Sequence, residues 1–290
     1  MSRQQADVYD HCKKAGNQGD VVKHVALIAA LDKVLDAHRG PIFKYADSFA
    51  GYAHTPLVKG NEWGQGVEKI FDRPELNHNR HTALYRKWYL SRPQLLGGVY
   101  PGSSLIAADV CAWKRKKVRL YLWDTSSRAF ADLTTVFRGQ GHTILRRSAT
   151  PDEGQVRDAN FVLIDPPNSK HYWDSIREFL KKRAQAILLW LPVYANTTSK
   201  PPGENRQSEV IRNDALALGY SATKARWNEG GRTIGCELIY RLPSDAKTAV
   251  REAVEHVVKI AGWRWRPLHY DPNLLEPATA SKQFAEFFNH

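Results

Sequence analysis

Asn160-Phe161-Val162-Leu163-Ile164 is followed at once by Asp165-Pro166-Pro167-Asn168. Four apolar residues closed by two prolines predict a buried strand that must end there. Proline cannot donate to a sheet ladder, and it pushes the residue before it out of the helical region. An acid at the carboxyl end of such a strand lies where open α/β sheets place their ligands. The rigid turn holds one carboxylate and one or two outward carbonyls, acceptors that suit the two hydrogens of a planar amino group. Asp and Pro are also ordinary turn residues, so the tetrapeptide by itself is equally a plain strand ending.

The surroundings set it in a repeating pattern. Upstream, Val21, Val25, Ile28, Leu31 and Leu35 recur at helical spacing from about Asp20 to Ala37, with Asn17 or Asp20 able to cap the start. Ile42 to Ala46 reads as a strand ending at Asp47, and residues 54–99 as an inserted, partly helical lobe. A helix from Ser103, a strand at Val118–Trp123 ending at Asp124, an amphipathic helix from Ser126 to Phe137 and a short strand at His142–Leu145 follow. Beyond Asp165 come a helix near Trp173 to Lys182, a strand at Ala186–Trp190, a helix over Ser208–Leu218, a strand at Cys236–Leu242 and a helix over Ala246–Ile260. Trp263–Leu268 is a candidate last strand.

Strands alternating with helices predict an α/β fold with a mainly parallel sheet covered on both faces, the last strands antiparallel. Three strand ends then carry acids on one rim: Asp47, Asp124 and Asp165. Asp124, after the second strand, suits ribose hydroxyls. The loop Asp47-Ser48-Phe49-Ala50-Gly51-Tyr52-Ala53 has one glycine where a dinucleotide fingerprint has three, which argues against a pyrophosphate. A cationic nucleoside without phosphates, such as S-adenosylmethionine, fits the acidic rim better.

At 290 residues, 42% hydrophobic and 25% charged, the chain has an ordinary globular composition. No apolar run is long enough to span a membrane, and the first residues lack a signal-peptide core. Cys12, Cys111 and Cys236 show neither a disulfide framework nor metal spacing, so a reducing cytoplasm and no metal are expected. Forty-two Lys and Arg against thirty Asp and Glu leave +12, which points to a polyanion such as nucleic acid. Basic clusters stand at Lys114-Arg115-Lys116-Lys117, Arg146-Arg147 and Lys181-Lys182-Arg183, and nine Trp and twelve Tyr offer faces for stacking.

Lys14-Ala15-Gly16-Asn17-Gln18-Gly19-Asp20-Val21-Val22-Lys23-His24 resembles the amino-terminal signature of the ribosomal RNA large-subunit adenine-N6 methyltransferase J family. Tyr100-Pro101-Gly102-Ser103, Asp165-Pro166-Pro167 and Trp190-x-Pro192-Val193 resemble further blocks of that family, in its order. The resemblance implies a class I S-adenosylmethionine-dependent methyltransferase, Rossmann-like, with a small helical insertion. Residues 1–53 would hold the amino-terminal motif, first helix and first strand, 54–99 the insertion, and 100–290 the remaining core.

It further implies that His24, Ser103 and Asp124 contact the cofactor and that Tyr9, in a Tyr-x-His start with His11, approaches ribosomal RNA. Asp165 and the Pro166 carbonyl would accept the hydrogens of an adenine amino group. A monomer acting on ribosomal RNA is the expectation. Three positions depart from the family pattern: Asn168 stands where it has a base-stacking aromatic, Phe49 for a histidine and Ala53 for a glycine. The acid-glycine pair expected after the fourth strand is replaced by Ser148-Ala149-Thr150. Tyr172 or Trp173 could supply the missing ring, or Asn168 could hydrogen-bond a base edge. Two alternatives stay open: the same chemistry on DNA, and a non-catalytic nucleic-acid-binding protein on the same fold.

Overall fold

The computed structural model describes residues 14–57, 62–90, 98–139, 143–146, 158–166, 169–182, 186–193, 203–229 and 232–268. Tyr9, His11, Pro167, Asn168 and residues 148–150 lie outside them. The chain begins with α1 (Gln18–Ala37) and β1 (Ile42–Asp47). An excursion follows through β2 (His54–Pro56), α2 (Val67–Ile70), α3 (Arg80–Tyr85) and β3 (Val99–Pro101). Then come α4 (Ser103–Trp113), β4 (Lys117–Trp123), α5 (Ser127–Phe137) and β5 (Thr143–Arg146). The second half runs β6 (Phe161–Ile164), α6 (Ser169–Lys182), β7 (Ala186–Val193), α7 (Gly203–Ala217), β8 (Ser221–Glu229), β9 (Arg232–Arg241), α8 (Ser244–Ile260) and β10 (Arg264–Leu268).

Eight strands make one sheet in the order β10-β8-β9-β7-β6-β1-β4-β5. β5, β4, β1, β6 and β7 are parallel, and β9, β8 and β10 are added antiparallel, as expected for the last strands. From β1 the chain moves outward to β4 and β5, then returns to lay β6 on the other side of β1. The reversal of strand order falls between β1 and β6, which is where open α/β sheets bind ligands.

Alternation along β6 shows how the sheet is covered. Phe161 and Leu163 join the core beneath α1, α4 and α8, whereas Val162 and Ile164 face the core under α6 and α7. All four are buried, so the strand reads as continuous apolar sequence. Below its first residue, Lys44 N–H donates to Asn160 Oδ1 at 2.8 Å, and Asn160 N–H returns a bond to the Lys44 carbonyl at 2.8 Å. This clasp extends the β1–β6 ladder by one step at its amino end.

α1 is buried on nearly every side, which explains its lack of a polar face. Its cap is Asn17, whose side chain accepts from Asp20 N–H at 3.0 Å. Four polar residues on it, Gln18, Lys23, His24 and Asp32, are buried. Asp32 receives His81 Nε2 at 3.0 Å and Lys114 Nζ at 2.6 Å, joining α1 to α3 and to the end of α4. Burial works against the Asp32 charge, but these donors outweigh it and hold its carboxyl well below the usual range.

β2 and β3 pair as a two-stranded antiparallel ladder that closes the excursion at its base, with His54 opposite Pro101. Between them lie short helical turns, including a π-turn at Arg86–Leu90. β8 is a strand that the sequence pattern did not predict. Lys224 on it pairs with Glu237 of β9 at 2.7 Å, and Arg212 of α7 reaches the same carboxylate at 2.8 Å, all three buried. A charge sealed by a partner from the next strand hides the alternation that would otherwise mark β8.

Candidate active site at the switch point

The end of β1 and the end of β6 bring two acids to the switch point. Asp47 is the last residue of β1 and is fully buried. Its Oδ2 accepts from Ser103 Oγ at 2.6 Å and from Tyr45 Oη at 3.0 Å. Burial raises the Asp47 carboxyl to about 6, against the pull of those two donors and with the Asp165 charge adding to it. Ser103 therefore does something other than cap its helix. The N-cap is Gly102, and Ser103, one residue on, turns inward to the acid.

Asp165 follows β6 and keeps the parity of Phe161 and Leu163, so it faces α1. There it receives the Lys23 ammonium, which also lies 2.8 Å from Asp20 Oδ1. Burial opposes the Lys23 charge, but the Asp165 and Asp20 carboxylates outweigh it and raise the ammonium above its ordinary range. Trp190 of β7 stands with its ring centroid 5.7 Å from the same ammonium. Neither Lys23 nor Trp190 is among the site residues expected above. The signal was present: a lysine set among the apolar residues of a helix has to find a partner once it is buried.

His24, the next residue, points into the protein. Its Nδ1 lies 2.8 Å from Tyr100 Oη, which lies 2.8 Å from Tyr85 Oη. This chain of three links α1 to the excursion. Burial, with the nearby Lys23 charge, lowers the His24 imidazole to about 3, so it is neutral in ordinary conditions.

The loop after β1 crosses both neighbouring strand ends. Ser48 N–H donates to the Leu163 carbonyl at 3.2 Å and Ala50 N–H to the Trp123 carbonyl at 2.9 Å. Asp124 holds the loop's far side, accepting Gly51 N–H at 2.9 Å and Ser126 N–H at 2.7 Å. Each carboxylate oxygen keeps further lone pairs for a ligand hydroxyl. Gly102 packs so close to this loop that a Cβ there would stand 1.9 Å from the Tyr52 carbonyl oxygen. Beside β6, the Phe49 and Tyr172 rings meet at 4.9 Å between centroids, tilted by 60°.

Asp47, Ser103, Asp124, Asp165 and Pro166 thus belong to one rim, with His24 behind it; Asn168 and Tyr9 lie outside the described residues. The strand order and the reversed β9 define an α/β fold of the class I S-adenosylmethionine-dependent methyltransferase type. No family model matches the chain. Ribosomal RNA large subunit methyltransferase J of Haemophilus influenzae is 24% identical over 273 residues, covering 87% of this chain and 92% of that protein. A solved Legionella pneumophila protein superposes with a TM-score of 0.69 at 17% identity, over 89% of this chain and 99% of its own. An rRNA methylase from Streptococcus thermophilus is more distant, at 8% identity and a TM-score of 0.36, over 73% of this chain and 94% of its own.

Proposed function

We propose that this chain is an S-adenosylmethionine-dependent N6-adenine methyltransferase acting on large-subunit ribosomal RNA, in the family of methyltransferase J. The observation that carries the reading is the placement of Asp165 and Pro166 at the end of β6, beside Asp47 and held from α1 by Lys23. The match along most of the chain to a ribosomal RNA methyltransferase supports it.

The residues fit the cofactor. Asp20, Asp47 and Asp165 gather around one lysine, leaving negative charge to receive a sulfonium, and the loop over β1 offers no glycine-rich nest for phosphates. Asp124 would hold the ribose hydroxyls, and Ser103 and His24 would back the amino-acid end of the site. When bound, S-adenosylmethionine supplies an electrophilic methyl group on a cationic sulfur.

The chain's own residues would prepare the acceptor. An adenine amino nitrogen is a poor nucleophile because its lone pair is delocalised into the ring. Asp165 and the Pro166 carbonyl would each accept one of its hydrogens, which localises that pair and aims it at the methyl carbon. Asp165 would stabilise the positive charge that develops on nitrogen, and the methylated nitrogen would then lose one proton to solvent. Lys23 would hold the carboxylate in place throughout. The base must leave its stack to reach this rim. Tyr172, whose ring meets Phe49, would stack on it in place of the aromatic that Asn168 lacks, and Tyr9 would approach the RNA.

The test is methyl transfer from labelled S-adenosylmethionine to unmodified large-subunit ribosomal RNA, with nucleosides identified by mass spectrometry. N6-methyladenosine formed by the wild type and absent with Asp165→Ala is expected. Equal product from both proteins, or transfer to matched DNA in preference to RNA, would overturn the assignment.

A further inference from the structure

α4 ends at the opposite end of the sheet from the acids. The turn after it leads into Lys117, the first residue of β4, and the seven residues of that strand carry the chain roughly 20 Å to Asp124. At this far end Trp113, the last residue of α4, is 38% exposed, which is unusual for a ring of that size among the described residues.

The Trp113 ring is built into a cluster. Trp88, from the π-turn of the excursion, meets it edge-on at 5.6 Å. The Arg80 guanidinium lies 5.1 Å and the Lys114 ammonium 4.9 Å from its centroid. The two cations differ in standing. Lys114 is bound between Asp32 at 2.6 Å and Asp36 at 2.7 Å, so it anchors the ring. Arg80 reaches Asp32 only at 3.4 Å, and more than half of its side chain meets solvent.

Further cations stand on neighbouring pieces of chain. Arg39 after α1, Lys87 in the π-turn, and Arg115 and Lys117 between α4 and β4 are all exposed. Lys116 ties two of these pieces together, donating to the His38 carbonyl at 3.1 Å. Arg115 has φ +54, a left-handed conformation that closes the helix with Lys116 N–H bonded to the Cys111 carbonyl at 2.9 Å. Glycine adopts that conformation without cost, whereas arginine does not. Attraction to a helix carboxyl end accounts for one or two basic residues here. It does not account for an exposed ring with cations drawn from three segments.

We propose that this face is a second RNA-anchoring site, separate from the catalytic rim. One unpaired base stacks at Trp113 beside Arg80, and Arg39, Arg115 and Lys117 take the flanking phosphates. Single-stranded RNA fits better than an acidic protein because the surface pairs positive charge with a partly exposed aromatic ring. The inference rests on the RNA-directed reading above but not on its chemistry.

The test is binding of a short fluorescein-labelled single-stranded RNA, compared with heparin, a polyanion that has no bases. Trp113→Ala is expected to weaken RNA binding roughly tenfold and leave heparin binding unchanged, with Trp113→Phe keeping most of the affinity. The double variant Arg115→Glu, Lys117→Glu is expected to weaken both ligands and flatten the salt dependence for RNA. RNA affinity of Trp113→Ala within about twofold of wild type, or equal losses for RNA and heparin, overturns the proposal. Cofactor binding is read by calorimetry on the same protein, so its failure in the wild type would count against methyl transfer alone.

Discussion

Lys23 and Asp165 form an ion pair across 142 residues of sequence and fasten the first helix to the strand end that carries the acid. Asp20 shares the same ammonium, so Lys23→Met would leave two carboxylates side by side with no cation between them. Removing one partner of a buried pair costs about 3–5 kcal/mol, and the slight exposure of these side chains favours the lower end. Urea denaturation of Lys23→Met should show a loss near that lower end, with Lys23→Arg recovering most of it. A variant as stable as wild type would mean that the pair holds nothing together.

Asp47 gives the fold a dependence on pH. Its carboxyl titrates at about 6 in the folded chain against 3.8 ordinarily, so the folded state favours the protonated form. The stabilisation is present in full below the lower value and is lost as pH rises through the upper one. The two values correspond to about 3 kcal/mol. Compared by denaturation across that interval, Asp47→Asn should gain on the wild type as pH rises; a constant difference would contradict the account. A cationic ligand prefers the ionised acid, so S-adenosylmethionine affinity should climb as pH rises to about 6 and level off above it in wild type, and stay flat in Asp47→Asn.

Gly102 is required for space rather than for backbone freedom. Its φ of −82 is available to any residue, but a Cβ would collide with the Tyr52 carbonyl. Gly102→Ala must push the loop over β1 away from α4, at about 1–3 kcal/mol. Thermal denaturation should show that loss, and calorimetry a weaker affinity for S-adenosylmethionine. Unchanged values of both would show that the loop moves aside without consequence.

Tyr172 can be separated from the cofactor site. Tyr172→Ala should lower RNA affinity roughly tenfold, as expected for one base–aromatic stack, with Tyr172→Phe close to wild type. S-adenosylmethionine affinity should be the same in all three proteins. Loss of cofactor binding in Tyr172→Ala would assign the ring to the cofactor instead.

Glu237 is the common partner of Lys224 and Arg212. Glu237→Ala leaves two cations without their acid and should cost about 3–5 kcal/mol in denaturation experiments. Combining Glu237→Leu with Lys224→Met should recover part of the loss. Additive losses in that combination would rule out the pair as the origin.

Much of this architecture can be read along the chain because its cues are local. The run Phe161–Ile164 closed by Asp165-Pro166, and the spacing of Val21, Val25 and Ile28, need no distant information. β8 escaped because Lys224 and Arg226 break its pattern, and only Glu237 from β9 makes a buried lysine tolerable there. Ser103 has the composition of a cap, yet Gly102 takes that place and the hydroxyl serves an acid 56 positions away. The partner of Lys23 was equally hidden, since composition shows that a buried cation needs an anion but not which one.

The Asn160 clasp sets more than the lower edge of the sheet. By pairing with Lys44 on both its amide and its side chain, it holds β6 at one height against β1, with Leu163 level with Asp47. Side chains alternate along a strand, so a slide of a single position would swing Asp165 to the side of α6, away from its lysine. The aim of the Asp165 carboxylate is thus decided at the floor of the sheet, five residues before the chain reaches it.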